Sequence, residues 1–279
     1  MRCEALFSLM LGMVGARKLR CVVVSLLLVA GFVAQASDGV HIAWLEDYGQ
    51  ALKMARQESK PMMIDFYTSW CVYCKQLDKE SFGDPRVVEA AKGFVCAKLD
   101  ADIAKAAAMR YPAEGYPTVV FTTPSGEEIL RFSGYRTAEQ VLTVVRTVRE
   151  SAPQLARLEA RIKQDKKDHA ALEALGALYL RLENPERAVV YLRRALKALP
   201  VAERTGKNPE EAQARVLLLL GQAQTRNESY KKACKALEKL VSCYKDSPRI
   251  REYYGELATL YEAWGKDAKA AAARARAEH

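Results

Sequence analysis

Apolar and polar residues are arranged in three ways along this chain. Residues 21–33, Cys-Val-Val-Val-Ser-Leu-Leu-Leu-Val-Ala-Gly-Phe-Val, form one apolar run. Between residues 44 and 149, short apolar runs alternate with amphipathic stretches. Trp44 to Glu58 has a helical period and is stopped by Lys60-Pro61. Met62 to Tyr67 reads as a short buried strand, Cys71 to Lys79 as the start of a second helix, and Phe94 to Leu99 as another strand. A further helix covers about Asp102 to Met109, and Pro112 prevents its extension. Val119 to Thr122 and Ile129 to Phe132 flank Pro124-Ser125-Gly126, a turn sequence, and Thr137 to Arg149 is helical. This order predicts an α/β fold: one mixed sheet with helices on both faces. From Ser151-Ala152-Pro153 onward the pattern is helical almost throughout.

Composition narrows the class. Of 279 residues, 50% are hydrophobic and 28% charged, which excludes a disordered chain. Seven Cys exclude a disulfide-stapled small fold, and three His without an HExxH pattern argue against a His-rich metal enzyme. The net charge of +9 is unevenly spread: residues 37–150 carry 14 basic and 16 acidic side chains, residues 151–279 carry 25 and 17. Change of grammar and change of charge coincide, so the expected units are 37–150 and 151–279. Arg17, Lys18 and Arg20 precede the apolar run, and Ala34-Gln35-Ala36 follows it. That succession predicts a signal peptide over residues 1–36, cleaved before Ser37, and a periplasmic or otherwise extracytoplasmic mature chain. An uncleaved membrane anchor is the competing reading. Residues 13–20 suffice as a positively charged leader by themselves, so translation is expected to start at Met13 rather than Met1.

Trp70-Cys71-Val72-Tyr73-Cys74-Lys75 follows a predicted strand and opens a predicted helix. Cysteines at i and i+3 share a helix face and can close a small disulfide ring. The first faces free N–H groups and the positive end of the helix dipole. Its thiol pKa is expected to fall from about 8.5 toward roughly 7 or lower, giving the nucleophile of disulfide exchange. Cys74, one turn further in, is suited to resolve a mixed disulfide. Zinc would require a second Cys or Cys/His pair at similar spacing, which is missing, and covalent haem attachment would require His where Lys75 stands. A purely structural disulfide remains an alternative, although so small a ring constrains little chain entropy. Cys96, in an apolar strand, is assigned no chemistry.

The segment Asp65 to Lys75, with Gly115-Tyr116-Pro117-Thr118 and Gly134, resembles a thioredoxin domain. It is similar in particular to the C-terminal thioredoxin-like domain of the DsbD reductase family, a likeness strengthened by Glu80-Ser81-Phe82-Gly83-Asp84-Pro85-Arg86-Val87. The resemblance covers about residues 40–150. It implies Cys71 as attacking cysteine, Cys74 as resolving cysteine, and Asp65 as a buried carboxylate that takes the Cys74 proton. It also implies that Pro117 is the cis-proline facing the cysteines, that Tyr116 is the residue whose backbone pairs with substrate, and that Trp70 is the flanking aromatic, packed near Asp65. No bound cofactor and no metal are implied. Val72-Tyr73 replaces the Gly-Pro of ordinary thioredoxins, and Pro112 stands where Gly is common.

In the second half, Leu172, Leu175-Gly176, Tyr179, Ala188, Leu192, Ala195 and Pro200 have the spacing of a tetratricopeptide (TPR) repeat. Leu217, Leu220-Gly221, Tyr230, Ala233 and Leu237, then Tyr254, Leu257-Ala258, Tyr261, Gly265 and Ala270, repeat it, with an insert around Val201 to Pro209. An all-α TPR-type array is therefore expected after the thioredoxin fold, ending in a polar cap helix, Ala268 to Ala277. Such arrays bind peptides or proteins, and no feature suggests nucleic acid. The combined expectation is an exported thiol–disulfide oxidoreductase that reduces protein disulfides, served by a membrane electron donor of the DsbD type, with a TPR domain for partner binding. The alternatives are an oxidase or isomerase running the same exchange, and a non-enzymatic TPR scaffold with a vestigial CxxC.

Overall fold

A computed structural model describes residues 41–199 and 212–278. The expected signal peptide, the Met13 start and the Val201–Pro209 insert lie outside the described residues. The first elements are β1 (Trp44–Leu45), α1 (Tyr48–Glu58), β2 (Met62–Tyr67), α2 (Val72–Gln76) with a π-helical turn (Leu77–Ser81), α3 (Pro85–Ala91) and β3 (Val95–Asp100). They are followed by α4 (Lys105–Arg110), β4 (Thr118–Thr122), β5 (Glu128–Ser133) and α5 (Ala138–Gln164). The strands form one mixed sheet in the order β1-β3-β2-β4-β5. β3 is parallel to β1 and β2, while β4 is antiparallel to β2 and β5.

The central strand shows why the sheet is covered on both sides. Side chains alternate across a strand. Met62, Ile64 and Phe66 enter a core with Ala51 and Ala55 of α1 and Ala107 of α4. Met63 enters the opposite core with Leu77, Val88 and Val145. Asp65 lies on the Met63 side by that alternation.

Three elements differ from expectation. Trp44 and Leu45 are not helical: they pair with Cys96 and Ala97, and the helix begins only after Asp47, whose carboxylate accepts from the Gln50 N–H at 2.6 Å. The helix α3, absent from the expected order, starts at Pro85 behind the cap Asp84. The helix expected to end at Arg149 runs unbroken to Gln164, with Pro153 inside it. Its 27 residues span about 40 Å. An interior proline costs roughly 3 kcal/mol, but Leu155, Leu158 and Ile162 continue the apolar face and are buried, which outweighs that cost. The expected boundary at 150/151 therefore falls within one helix.

The remaining chain is helical: α6 (His169–Arg181), α7 (Pro185–Ala198), α8 (Ala212–Arg226), α9 (Tyr230–Cys243), α10 (Ile250–Ala263) and α11 (Asp267–Glu278). They pack as the pairs α6–α7, α8–α9 and α10–α11, each pair touching the next. The result is a thioredoxin fold followed by TPR-type helical hairpins. The repeat is visible in atomic detail. A Cβ added to Gly176 would lie 2.5 Å from Leu192, and one added to Gly221 would lie 2.4 Å from Leu237. Both glycines let the second helix of a hairpin approach the first. Gly176→Ala and Gly221→Ala should each destabilise the protein by about 1–3 kcal/mol through overpacking, even though alanine is the better helix former. Urea unfolding of each variant checks this, and a stability gain at either position would contradict the seam. In the last hairpin, Ala270 and Ala273 are the buried residues of α11. No helix among the described residues is long and apolar enough to cross a membrane.

Candidate active site

Cys71 and Cys74 sit where β2 gives way to α2. Cys71 is the N-cap, with extended backbone and its N–H donating to the Thr68 carbonyl at 3.2 Å. It forms a disulfide with Cys74 across a Cα–Cα distance of 5.3 Å. The backbone N–H of Cys74 donates to Cys71 Sγ at 3.0 Å. A cap sulfur receiving a helix N–H occupies a position where negative charge is favoured, because such bonds strengthen when the acceptor is ionised. Both sulfur-bearing residues are buried in the oxidised state, with Cys74 the deeper. Their neighbours are the reverse: Trp70, Val72 and Tyr73 are 67%, 73% and 61% exposed. An apolar collar thus surrounds a recessed disulfide.

Asp65 is 1% exposed. Strand register sets Lys98 of β3 beside it, and Lys98 Nζ donates to Asp65 Oδ2 at 3.0 Å. Lys98 also bonds Asp78 on the π-helical turn, which reaches toward solvent. The ammonium lies over the rings of Tyr67 and Trp44, at 5.0 and 5.6 Å from their centroids. The other carboxylate oxygen of Asp65 has no partner. Burial pushes the Asp65 carboxyl up from the usual 3.8 to about 6, and the attraction of Lys98 offsets only part of that. Asp65 is therefore a carboxyl that can both hold and release a proton near neutral pH.

The Tyr116–Pro117 peptide bond is cis. The Pro117 carbonyl accepts from the Gly134 N–H at 2.8 Å, and Thr118 Oγ1 bonds both the Gly115 carbonyl and Ser133 Oγ, so the loop is fastened to β5. Tyr116 meets Trp70 edge to face, with ring centroids 6.3 Å apart. The partners of Trp70 are Tyr116 and Asp102, not Asp65: its ring lies at the surface, held by Tyr116 and by donation from Nε1 to Asp102 Oδ2 at 3.3 Å. Sequence reasoning missed Lys98, Asp78 and Asp102. The available signal was one lysine inside the apolar run of β3, before its terminal Asp100, and one carboxylate a helical turn beyond Cys74. Cys96 is buried in β3, where burial pushes its thiol up to about 12, far from any thiolate chemistry.

Residues 48–149 match the thioredoxin-like domain family. They form a thioredoxin-like domain. Over 117 residues the chain is 32% identical to the thiol:disulfide interchange protein DsbD of Vibrio vulnificus, covering 39% of this chain and 19% of that protein. Over 116 residues it is 31% identical to a probable protein disulfide-isomerase A6 of Medicago sativa, covering 42% of this chain and 31% of that protein. The chain thus spans less than a third of either relative. Among solved structures, the TPR domain of Arabidopsis FLU is 26% identical, with 40% of this chain and 92% of that chain covered at a TM-score of 0.35. The thioredoxin-like domain accounts for the cysteines, Asp65 and the cis-proline loop; the helical hairpins lie outside that match.

Proposed function

We propose that this chain is an exported thiol–disulfide oxidoreductase whose Cys71–Cys74 pair reduces disulfides in proteins. The observation that carries the reading is the placement of Cys71 Sγ at a helix N-terminus, receiving the Cys74 N–H, on a domain that carries a buried carboxyl on its central strand. In the reduced form, the Cys71 thiolate attacks one sulfur of a substrate disulfide and expels the other as a thiolate. Asp65 accepts the Cys74 proton, and the Cys74 thiolate then attacks Cys71 Sγ. The substrate leaves with two thiols, and the two electrons it gained come from closing Cys71–Cys74. Trp70, Tyr116 and Pro117 hold the substrate chain beside the sulfurs, with Tyr116 offering backbone groups to an extended segment. A membrane electron donor of the DsbD type regenerates the dithiol, and the TPR-type hairpins of residues 151–279 bind a protein partner. Export rests on the charge, apolar run and small-residue pattern of residues 1–36.

Direction is tested by equilibrating the purified chain with glutathione buffers. A reductant should show a potential near that of thioredoxin, about −270 mV, whereas a value near about −120 mV would make it an oxidant.

A further inference from the structure

A cleft of about 970 Å³ opens beside the loop that leads into the cis bond. One wall is the 112–115 loop with β5; the other is the turn between α6 and α7, with Val190 and Asn227. The walls are fastened together. Asn184 Nδ2 donates to the Ile129 carbonyl at 3.1 Å, and Arg187 forms an ion pair with Glu127. Arg131 bonds Glu128 and the Pro112 carbonyl. The cleft is therefore a built feature shared by the sheet and the first helical hairpin.

Its chemistry is specific. β5 ends the sheet, with β4 on one side, so its other edge has no strand partner. Arg131 and Arg187 are each engaged by a carboxylate. Glu114, Glu183 and Glu186 line the cleft, are exposed, and form no ion pair among the described residues. Arg131 also attracts Glu114 and Glu186, but the lining holds four carboxylates (Glu114, Glu128, Glu183, Glu186) against two guanidiniums (Arg131, Arg187), so its net charge is negative, on a chain whose net charge is +9. Val190 adds one exposed apolar side chain. Gly115 lines the cleft and directly precedes the Tyr116–Pro117 bond, so a chain crossing that bond leads into it.

We infer that this cleft holds an extended, lysine- or arginine-bearing segment of the substrate polypeptide, next to the cysteine presented to Cys71. The inference rests on the proposed exchange reaction and adds which substrates are preferred: those whose disulfide is flanked by basic residues. Beyond Ile129, whose carbonyl Asn184 takes, β5 has no strand partner on this edge and can accept an extended chain, and an excess of carboxylates selects cations.

The test separates binding from turnover. The oxidised full-length chain, in which Cys71 and Cys74 are already joined, is titrated with fluorescent cysteine-free peptides that have lysine, serine or glutamate flanks. The lysine-flanked peptide should bind about fivefold tighter to the unaltered chain than to the Glu183→Gln, Glu186→Gln variant, a size suited to two exposed charges. Added salt should remove the difference, and the serine-flanked peptide should not distinguish the two proteins. Equal affinity of the lysine-flanked peptide for both, or equal binding of the glutamate-flanked one, would overturn the inference. Reduction of 2-hydroxyethyl disulfide by the dithiol form of the unaltered chain is measured alongside. Its failure would remove the exchange reaction, whereas the peptide titration reads the cleft alone.

Discussion

Replacing Cys71 by serine should lower reduction of protein disulfides by about 10³-fold or more, the scale expected when a nucleophile is removed from a unit that works together. A hydroxyl in that position accepts the Cys74 N–H as the sulfur does, but it does not ionise near neutral pH and does not attack sulfur. Replacing Cys74 by serine should have a different consequence. Attack by Cys71 still occurs, because the cap geometry that favours its thiolate depends on the backbone N–H of residue 74 and not on its side chain. The second displacement is lost, so a covalent adduct between Cys71 and the substrate should accumulate. Non-reducing electrophoresis followed by mass spectrometry of the adducts reads both results. Equal loss of adducts and turnover in the two variants would show that the cysteines do not have separate roles. Full rescue of a deletion phenotype by the double serine variant would leave the TPR-type array as the working part of the chain.

The second large effect concerns Asp65. Its carboxyl titrates at about 6 in the folded protein against an ordinary 3.8. Between those values the folded state keeps a proton that the unfolded state has released. That proton stabilises the fold most below about pH 4, and the contribution is lost as pH rises through about 6. A shift of roughly two units corresponds to about 2–3 kcal/mol. Asp65→Asn should therefore match the unaltered oxidised protein in stability near pH 4 and exceed it by about that amount at pH 8. Denaturant unfolding across the pH range checks the crossover. The same substitution should slow turnover and remove the rise in rate between pH 5 and 7 that a base of about this pKa produces. Lys98→Gln, which removes the favourable charge beside Asp65, should move that rise to higher pH. A stability gain in Asp65→Asn that was equal at pH 4 and pH 8 would mean that the carboxyl is not held protonated by burial.

Much of this was legible in the chain itself, because the informative signals were local. The MMIDFY run marks a strand buried on both faces, and the CxxC at its exit marks a helix start. Gly176 and Gly221, each sixteen residues before a leucine, mark hairpin seams. What escaped depended on contacts between distant segments. Trp44 and Leu45 satisfy a helical period, but β3 offers them a strand edge. Pro153 reads as a boundary until the burial of Leu155, Leu158 and Ile162 holds the helix together past it. Lys98 faces Asp65 only through the β2–β3 register, thirty-three residues apart in sequence. Trp70 carries no sign in its neighbours that its partners are Tyr116 and Asp102. The α3 helix did announce itself, with Asp84 capping and Pro85 at the first position. At seven residues it is too short for periodicity to reveal.

The most direct measurement is the pH dependence of alkylation at Cys71 in the reduced full-length chain, followed peptide by peptide with mass spectrometry, with Cys74→Ser as the reference in which Cys71 is the one thiol left of the pair and the exposed Cys243 as an internal ordinary thiol. A sulfur at this helix cap should react with a midpoint at least about one unit below the 8.5 of a free thiol. A midpoint at or above that of a free cysteine would contradict the account.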